Sequence, residues 1–216
     1  MNAKIIFVTG TDTGVGKTVV AALLTRHLRA RGLRVAALKP VCSGGRGDAH
    51  ALHAAAGKVL ALDEVNPWHF RPPLAPLLAA RKEGKSVRLN TVVARVRWIA
   101  KRFDRVVVEG AGGLLSPLGE DFNSRDLLRT LRATPIVVCP NRLGAVNQTL
   151  LVVGALPRAI ARRAKVVLAA PARADSATRT NRRLLSELLG AARVHELPRL
   201  GRKPNPALRS FLKGIV

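Results

Sequence analysis

One segment near the N-terminus limits the possible folds more than any other part of the chain. The apolar run Ile5-Ile6-Phe7-Val8 leads into Gly10-Thr11-Asp12-Thr13-Gly14-Val15-Gly16-Lys17-Thr18, and a helical pattern begins at Lys17. Glycines between a strand and a helix allow backbone N–H groups to surround an anion, and the helix dipole favours negative charge there. The segment therefore predicts a phosphate loop, in which Lys17 contacts the β- and γ-phosphates of a nucleotide and Thr18 binds Mg²⁺.

The spacing of this loop differs from the common pattern. Four residues usually separate the two outer glycines, whereas five separate Gly10 from Gly16. The alternative is a glycine-rich turn that only caps a helix. We favour the phosphate loop because the strand, the glycines, the Lys-Thr pair and the helix occur together, and we expect ATP and Mg²⁺ as its ligands.

Apolar, β-branched segments alternate with helical patterns along the chain. This alternation predicts an α/β fold, a single P-loop NTPase-like domain over residues 1–216 with a mostly parallel sheet and helices on both faces. The proline-rich residues 66–76 should form an ordered loop or a cover over the site, and Pro157 should end or kink the helix before it. The predicted strands are residues 5–9, 34–38, 105–109, 135–139, 165–168 and 193–197, and the predicted helices are residues 17–30, 48–56, 91–102, 124–131, 146–156 and 177–189.

Three charged residues follow or end predicted strands, where the ligands of parallel sheets bind. Lys39 follows the second strand, and a second cation there could neutralise charge on a transferring phosphoryl group. Asp48 begins a helix, and Glu109 ends a buried strand before a Gly-rich turn. Because Mg²⁺ binds phosphates and one or two protein carboxylates, Asp48 and Glu109 are its predicted protein ligands beside Thr18.

Two of these three residues also have a simpler interpretation. Lys39 taken alone is typical of a solvated strand end, and Asp48 is typical of a residue that caps a helix. Glu109 is harder to explain in this way, because a carboxylate at the end of a buried strand is costly unless it has a function.

The segment Asn141-Arg142-Leu143-Gly144-Ala145-Val146-Asn147 lies between a predicted strand and a predicted helix. Free N–H groups at such a helix start can bind an anion, for example a carboxylate. An ordinary strand-to-helix turn fits the same residues, so their chemistry alone leaves both interpretations open.

The net charge of +24 is the unusual feature of the composition. It is compatible with a nucleic-acid or membrane-surface partner. The basic residues are spread along the whole chain, however, and five Phe and two Trp leave few aromatic rings for bases to stack on. We favour a bias towards Arg on solvated faces, and we expect neither nucleic acid nor a membrane among the partners.

Other features indicate a cytoplasmic location. No apolar run approaches the ~20 residues of a membrane-spanning helix, and the first residues lack the order of a signal peptide. Cys42 and Cys139 lie far apart without metal-binding spacing, so neither a zinc site nor a structural disulfide is expected. Both cysteines are predicted to be small buried or pocket-lining residues.

Taken together, these segments resemble the dethiobiotin synthetase family. The resemblance covers the chain from residue 4 to about residue 150, where the segments occur in the order and spacing of the family. Each segment alone is weak evidence for this family, but the whole set in this order is specific to it. It comprises residues 10–18, 39–44, Asp48, Asn66-Pro67 with Ala75-Pro76, residues 108–113 and residues 143–147.

This resemblance implies an ATP- and Mg²⁺-dependent enzyme of biotin biosynthesis that converts 7,8-diaminopelargonate, CO₂ and ATP into dethiobiotin, ADP and phosphate. One amine takes up CO₂ as a carbamate, and the carbamate oxygen attacks the γ-phosphorus to give a carbamic-phosphoric anhydride. The second amine then closes a cyclic urea. The resemblance also implies a homodimer, in which the tail of the substrate crosses to the partner subunit.

The same resemblance assigns roles to the residues. The catalytic residues are Lys17, Lys39, Thr13 and Asp12, where Asp12 positions the amine end or Lys17, and the metal ligands are Thr18, Asp48 and Glu109. The nucleotide-binding residues are Thr13, Gly14, Val15, Gly16, Lys17, Thr18, Glu109, Gly110, Gly112, Gly113 and Pro198. The substrate-binding residues are Ser43, Gly110, Ala111, Leu143, Gly144, Val146 and Asn147, and the last four receive the substrate carboxylate.

The chain departs from the family where the base of the nucleotide is recognised. An Asn usually follows the strand predicted at residues 165–168, and this chain has Ala169-Ala170-Pro171 there. The segment Glu196-Leu197-Pro198-Arg199-Leu200 resembles the second base-side segment, with Arg199 in place of a common aromatic residue. Some tolerance of other nucleoside triphosphates is therefore expected.

The main alternative is a partition- or positioning-type ATPase that binds DNA or a membrane as an ATP-dependent dimer. The basic charge would then have a direct explanation. Those proteins carry a Lys near the start of the phosphate loop, where this chain reads Thr11-Asp12-Thr13, and residues 39–44 have no obvious place in that interpretation.

Overall fold

The computed structural model describes residues 4–201 and 206–215. Residues 1–3, which contribute to the expectation that no signal peptide is present, lie outside this part. The strands are β1 (Lys4–Gly10), β2 (Val35–Leu38), β3 (Val41–Ser43), β4 (Trp68–Phe70), β5 (Arg105–Glu109), β6 (Pro117–Gly119), β7 (Phe122–Asn123), β8 (Thr134–Pro140), β9 (Lys165–Ala169) and β10 (Val194–Leu197).

The helices connect these strands. They are α1 (Lys17–Ala30), α2 (Gly47–Ala55), α3 (Leu62–Val65), α4 (Pro76–Lys82), α5 (Leu89–Ala100), α6 (Ser124–Thr130), α7 (Ala145–Gly154), α8 (Arg158–Ala161), α9 (Ser176–Leu189) and α10 (Pro206–Ile215), with a 3₁₀ turn at Ala191–Arg193. No helix in the described ranges is long and apolar enough to cross a membrane.

Six strands form a central sheet in the order β10-β9-β8-β1-β5-β2, and every neighbouring pair is parallel. Successive residues of β5 and β8 are buried. Because side chains alternate between the faces of a sheet, both faces of these strands are covered. The predicted α/β fold with a mostly parallel sheet is confirmed, and all six predicted strands and six predicted helices occur within two residues of the predicted bounds.

The sequence did not predict the short elements. β3 pairs with β4 in a two-stranded parallel sheet, and β6 pairs with β7 in a two-stranded antiparallel one. Helices α3, α4, α8 and α10 were also missed. Two to four residues show no measurable periodicity, so β3, β4, β6, β7, α3 and α8 give no pattern to detect.

The proline at position 157 acts as expected. Helix α7 ends at Gly154, and Pro157 lies just before the first residue of α8. Residues 66–76, predicted as an ordered loop or cover, contain β4 and the first residue of α4.

The strand order sets the geometry of the site. β1 lies between β5 and β8, so its carboxyl end at Gly10 adjoins Glu109 at the end of β5. β2 pairs with the far side of β5, which brings Lys39 to the same edge of the sheet. Open parallel sheets with flanking helices bind ligands along this edge.

Candidate active site

The loop between β1 and α1 has the backbone that an anion cradle requires. Gly14 and Gly16 have φ of 73° and 97°, in the left-handed region where side chains are strained. A Cβ atom on Gly10 would lie 2.5 Å from Cγ2 of Val15, so only glycine fits there. Lys17 is buried at the start of α1, and its Nζ donates a hydrogen bond to the carbonyl oxygen of Asp12 at 2.7 Å.

A second lysine joins two carboxylates beside this loop. Lys39 is 2 % exposed, and its Nζ lies 2.6 Å from Oε1 of Glu109 and 2.7 Å from Oδ2 of Asp48. The hydroxyl of Thr18 donates to the same Oε1 atom at 2.8 Å. The four side chains that the sequence placed at strand ends and at the loop therefore form one cluster.

The pKa values in this cluster follow from burial and charge. Burial raises the pKa of Glu109, and the attraction of Lys39 only partly offsets this. Burial lowers the pKa of Lys39, but Glu109 and Asp48 outweigh burial, so that pKa is raised and Lys39 stays charged. Burial would raise the pKa of Asp48, but Lys39 lowers it overall. For Lys17, burial and the neighbouring charge of Lys39 together lower the pKa.

The donor atoms of the cluster suit a divalent cation. Glu109 is 1 % exposed, and its Oε2 atom is buried with no hydrogen-bond partner in the described part of the chain. Such an orphaned carboxylate oxygen is expensive unless a ligand completes it. Among residues 4–201 and 206–215, no group of three or more His, Cys, Asp or Glu could hold a metal ion. Mg²⁺ at this position would therefore also need hydroxyl, phosphate and water oxygens, as it commonly does.

The cluster forms one wall of a cavity of about 740 Å³. Eleven residues with predicted site roles line it, namely Thr13, Gly14, Gly16, Lys17, Thr18, Lys39, Ser43, Asp48, Glu109 and, in the turn after β5, Ala111 and Gly112. The phosphate loop, the charged strand ends and the turn after β5 were selected separately from the sequence. In the structure they line one cavity.

Two residues predicted to bind the nucleotide are structural neighbours of the cavity rather than part of its lining. Val15 is 6 % exposed and belongs to the hydrophobic core. Gly110 packs so tightly that a Cβ atom would lie 2.9 Å from Oγ of Ser124 and 3.1 Å from the ring of Phe7. Both positions support the loops next to the cavity.

A smaller cavity of about 370 Å³ adjoins the first one. Ser116 lines both cavities. Asp12 and Gly113, predicted as site residues, line this second space together with Thr11, and its apolar wall consists of Leu114, Leu115, Leu151, Val152 and Ala155. The two cavities therefore meet at Ser116, and the second combines polar groups with an apolar wall.

The remaining predicted residues lie elsewhere. Pro198 lines a third cavity of about 440 Å³ at the carboxyl ends of β8, β9 and β10, which also includes Asn141, Ala170, Thr178 and Glu196. The start of α7, with Leu143, Gly144, Val146 and Asn147, lines none of these three cavities. Leu143 is 79 % exposed and Gly144 has a φ of 88°. A single subunit therefore does not bring this helix start to the main cavity.

Sequence reasoning missed part of the cavity lining. Ser116 accepts a hydrogen bond from the backbone N–H of Gly113 at 2.8 Å, and nothing in its sequence context marked it. Val19, Gly45 and Pro73-Leu74 also line the cavity without a motif of their own. Cys42 was predicted to be buried or pocket-lining, and it is both, while Cys139 is buried and both are free thiols.

Comparison with known proteins decides the family. ATP-dependent dethiobiotin synthetase BioD of Anaeromyxobacter dehalogenans (strain 2CP-C) is 48 % identical to this chain over 157 residues, which cover 71 % of this chain and 70 % of that protein. The chain belongs to the dethiobiotin synthetase family. The synthetase of the same name from Methanococcus vannielii is 39 % identical over 148 residues, which cover 68 % of this chain and 70 % of that one. A family model described as an AAA domain matches residues 4–207.

Solved structures that resemble this dethiobiotin synthetase family member agree on the fold. A ParA family ATPase from Chlorobium tepidum TLS superposes with a TM-score of 0.60 at 15 % identity, covering 98 % of this chain and 91 % of that one. The pNOB8 ParA bound to nonspecific DNA gives a TM-score of 0.54, also at 15 % identity and with the same coverage. At this identity the likeness concerns the arrangement of strands and helices, and not the activity.

Proposed function

We propose that this protein is an ATP-dependent dethiobiotin synthetase that acts in biotin biosynthesis on 7,8-diaminopelargonate, CO₂ and ATP. The observation that carries the proposal is the buried contact of Lys39 with Glu109 and Asp48 beside the phosphate loop, in a chain that is 48 % identical to a named synthetase. The products are dethiobiotin, ADP and phosphate.

The chemistry needs three bond changes. One amine of the substrate adds to CO₂ and loses a proton, which gives a carbamate. A carbamate oxygen then attacks the γ-phosphorus as the bond to the bridging oxygen of ADP breaks. The second amine attacks the carbonyl carbon of the resulting anhydride, phosphate leaves, and the five-membered cyclic urea closes.

Charge and alignment are what the protein has to supply for phosphoryl transfer. Lys17 and Lys39 lie on the same cavity wall and provide two buried positive charges for the oxygens of the transferring group. Thr13, Ser43 and the turn at residues 110–113 would position the carbamate and the phosphates. A buried cation is worth more here than in water because the local dielectric constant is lower.

The metal ligands of this proposal are Thr18, Asp48 and Glu109. The orphaned Oε2 atom of Glu109 supports this assignment, since it is a buried acceptor without a hydrogen-bond partner in the described part of the chain. When bound, Mg²⁺ would neutralise charge on the β- and γ-phosphates. Lys39 contacts both carboxylates, so it keeps the proposed metal ligands Asp48 and Glu109 close together.

The second cavity supports an amphiphilic substrate. Asp12 lies on its polar side, where a carboxylate can pair with a protonated amine. Leu114, Leu115 and Leu151 form an apolar wall that suits the alkyl chain of a long carboxylic acid. Since Ser116 lines both spaces, a diamine bound there would present its amines to the phosphate chamber.

A homodimer would complete this site. Helix α7 and the turn before it expose apolar side chains, with Leu143 in the turn 79 % exposed and Leu151 in the helix 65 % exposed. Exposed apolar surface of this kind is typical of a subunit interface. In the proposed dimer, the N–H groups at residues 143–147 of the partner subunit's α7 bind the carboxylate of the substrate tail.

The proposal is tested by measuring ADP release from purified protein. Release should require the diamine, bicarbonate and Mg²⁺ together, and omission of any one should reduce it to background. Dethiobiotin should appear in the same samples by mass spectrometry. ATP turnover that does not depend on the diamine would contradict the proposal.

The charge of +24 and the ParA-like fold make a partition-type ATPase the second candidate. Its distinguishing property is stimulation of ATP turnover by DNA or by anionic vesicles. The same assay therefore includes duplex DNA and vesicles in place of the diamine. Strong stimulation by either, without any effect of the diamine, would favour this candidate.

A further inference from the structure

A buried asparagine outside the cavity connects three segments of the site. Asn66 follows α3 and is 1 % exposed. Its Nδ2 donates to the carbonyl oxygen of Lys39 at 2.7 Å. Its Oδ1 accepts hydrogen bonds from Nε of Arg46 at 3.2 Å and from Sγ of Cys42 at 3.4 Å.

The backbone of Lys39 is held on both sides by this segment. Its N–H donates to the carbonyl oxygen of Val65 at 2.9 Å, and its own carbonyl accepts from Asn66. Lys39 lies just after the last residue of β2, where the ladder of the central sheet no longer holds the chain. The two hydrogen bonds from residues 65 and 66 therefore replace the sheet and fix the direction in which the Lys39 side chain leaves the backbone.

Arg46 in turn holds Asn66 in place. The Arg46 guanidinium donates to Oδ1 of Asn66 and, at 3.1 Å, to the backbone carbonyl oxygen of Asn66. It also donates to Oδ1 of Asp63 at 2.8 Å. A planar guanidinium that makes three hydrogen bonds has a defined orientation. Since the Asn66 amide is enclosed and has partners on both of its ends, it cannot turn over without losing hydrogen bonds.

We propose that Asn66 is a positioning residue that sets the place of the Lys39 ammonium group in the phosphate chamber, and that Arg46 holds Asn66 in that orientation. Neither residue lines the 740 Å³ cavity, so neither is a catalytic residue. The inference rests on the proposed function, because the transferred group on which Lys39 acts is defined there.

The main test is Asn66→Ala, which removes the donor to Lys39. Misplacement of a catalytic group by about 1 Å can cost about 10²-fold in rate. We therefore expect kcat to fall about 10²-fold, with KM for ATP changed less than about threefold since the phosphate loop keeps its own contacts. A kcat within about threefold of the unaltered protein would overturn the inference.

A double-mutant cycle separates positioning from a general loss of structure. If Asn66 acts through Lys39, Asn66→Ala should lower kcat by less than about threefold in a Lys39→Ala background. If its effect is independent, the two losses should multiply. Full multiplication would contradict the inference even if each single variant is impaired.

Two further variants keep the test decisive if Asn66→Ala folds poorly. Asn66→Asp preserves the shape and the acceptor oxygen for Arg46 but cannot donate to Lys39, so it should be about as impaired as Asn66→Ala. Wild-type turnover of Asn66→Asp would show that this donor is unnecessary. Arg46→Ala should lower kcat about tenfold in the unaltered protein and by less than about twofold beside Asn66→Ala.

Arg34→Ala is the matched control for Arg46→Ala. Arg34 also makes several hydrogen bonds to one neighbouring residue, Asp104, far from the cavity lining. Its loss should leave kcat unchanged. If the unaltered protein itself makes no dethiobiotin, the proposed function fails; if it does and the Asn66 variants match it, only the positioning role fails.

Discussion

The two ends of the nucleotide site differ in how the chain builds them. At the phosphate end, Lys17, Lys39 and Glu109 are buried and linked by hydrogen bonds to one another or to the loop. We propose the third cavity as the base end because Pro198 lines it. There the amide of Asn141 is already occupied, because it donates to Thr178 and accepts from Asn181. The chain thus fixes charge tightly where the phosphoryl group moves, whereas the amide of Asn141 in the third cavity is held by the protein itself.

This contrast has a physical basis. Transfer of a phosphoryl group requires charge placed in advance, and small displacements are costly. Holding a base requires mainly an apolar slot, and any of the four bases has a flat face that fits one. Substitutions at the phosphate end should therefore have large effects, and substitutions at the base end should have small ones.

The largest effect is expected from Glu109→Ala. This change removes the orphaned Oε2 atom and leaves Lys39 with one carboxylate partner. Turnover should fall by about 10²-fold to 10³-fold, because both the metal site and the nearby cation lose their placement. Steady-state ADP release measures this, with Glu187→Ala on the exposed face of α9 as control. Near-normal turnover would refute the metal-ligand role of Glu109.

Lys17→Met should separate function from stability. Turnover should fall by orders of magnitude, whereas the free energy of unfolding of the nucleotide-free protein should rise by about 1 kcal/mol, because a buried cation is replaced by an apolar side chain of similar size. Urea unfolding measures the second quantity. The exposed Lys101→Met is the control and should show neither effect.

Comparison of the unaltered protein with Lys17→Met also gives a prediction for the pH dependence of stability. Burial and Lys39 lower the pKa of Lys17 below its ordinary value of 10.5. Below the folded-state pKa both the folded and the unfolded chain carry the proton on Lys17, so the full cost of the buried charge reduces stability there; between that pKa and 10.5 the folded chain loses the proton and the cost is relieved. The stabilisation by Lys17→Met should therefore be largest near neutral pH and shrink as the pH rises towards 10.5. A difference that grows with pH would contradict the assigned direction.

The helix at the edge of the second cavity should show an intermediate effect. Leu151→Glu places a charge on the exposed apolar face of α7 and should convert the proposed dimer into monomers. Turnover should then fall about tenfold to 10²-fold, because the partner's carboxylate site is lost and because Leu151 also lines the second cavity. Sedimentation velocity measures the oligomeric state. The control is Leu188→Glu on α9, because Leu188 is also an exposed leucine. A Leu151→Glu monomer with full activity would contradict the shared site, and a variant that stays dimeric would show that Leu151 lies outside the interface.

The smallest effects are expected at the base end. ATP, GTP and CTP should support turnover within about tenfold of one another, because Ala169 and Ala170 offer no side-chain hydrogen bond to a base. Ala170→Asn introduces an amide into the third cavity and should raise the preference for ATP about twofold to tenfold. Ala172→Asn, outside that cavity, serves as the control. Strict ATP selectivity in the unaltered chain would show that other groups read the base.

The sequence predicted the phosphate end far better than its surroundings. Lys39 and Glu109 could be found because strand periodicity placed each at a carboxyl end, and parallel sheets bring such ends together. That Lys39 would bridge Glu109 and Asp48 could not be predicted, because it depends on side-chain directions rather than on register. The link from Asn66 to Lys39 joins positions 27 residues apart along the chain and leaves no local pattern.

The short elements show a second limit of sequence reasoning. β3 and β4 have three residues each, too few to reveal a period, yet their pairing carries Ser43 to the cavity. Ser116 was missed for a similar reason, since its position depends on a turn closed by one hydrogen bond to Gly113. Most long periodic elements were predicted, with the ten-residue helix α10 as the exception, and the turns that shape the cavity were not.

The central claim is that the buried charges of the phosphate end activate a carbamate. The most direct measurement uses ¹³C-bicarbonate, the diamine, ATP and Mg²⁺ with the purified protein, followed by mass spectrometry of the product. The account predicts dethiobiotin that carries one ¹³C in its ureido carbonyl, formed in a one-to-one ratio with ADP. ADP release without labelled cyclic urea would contradict it.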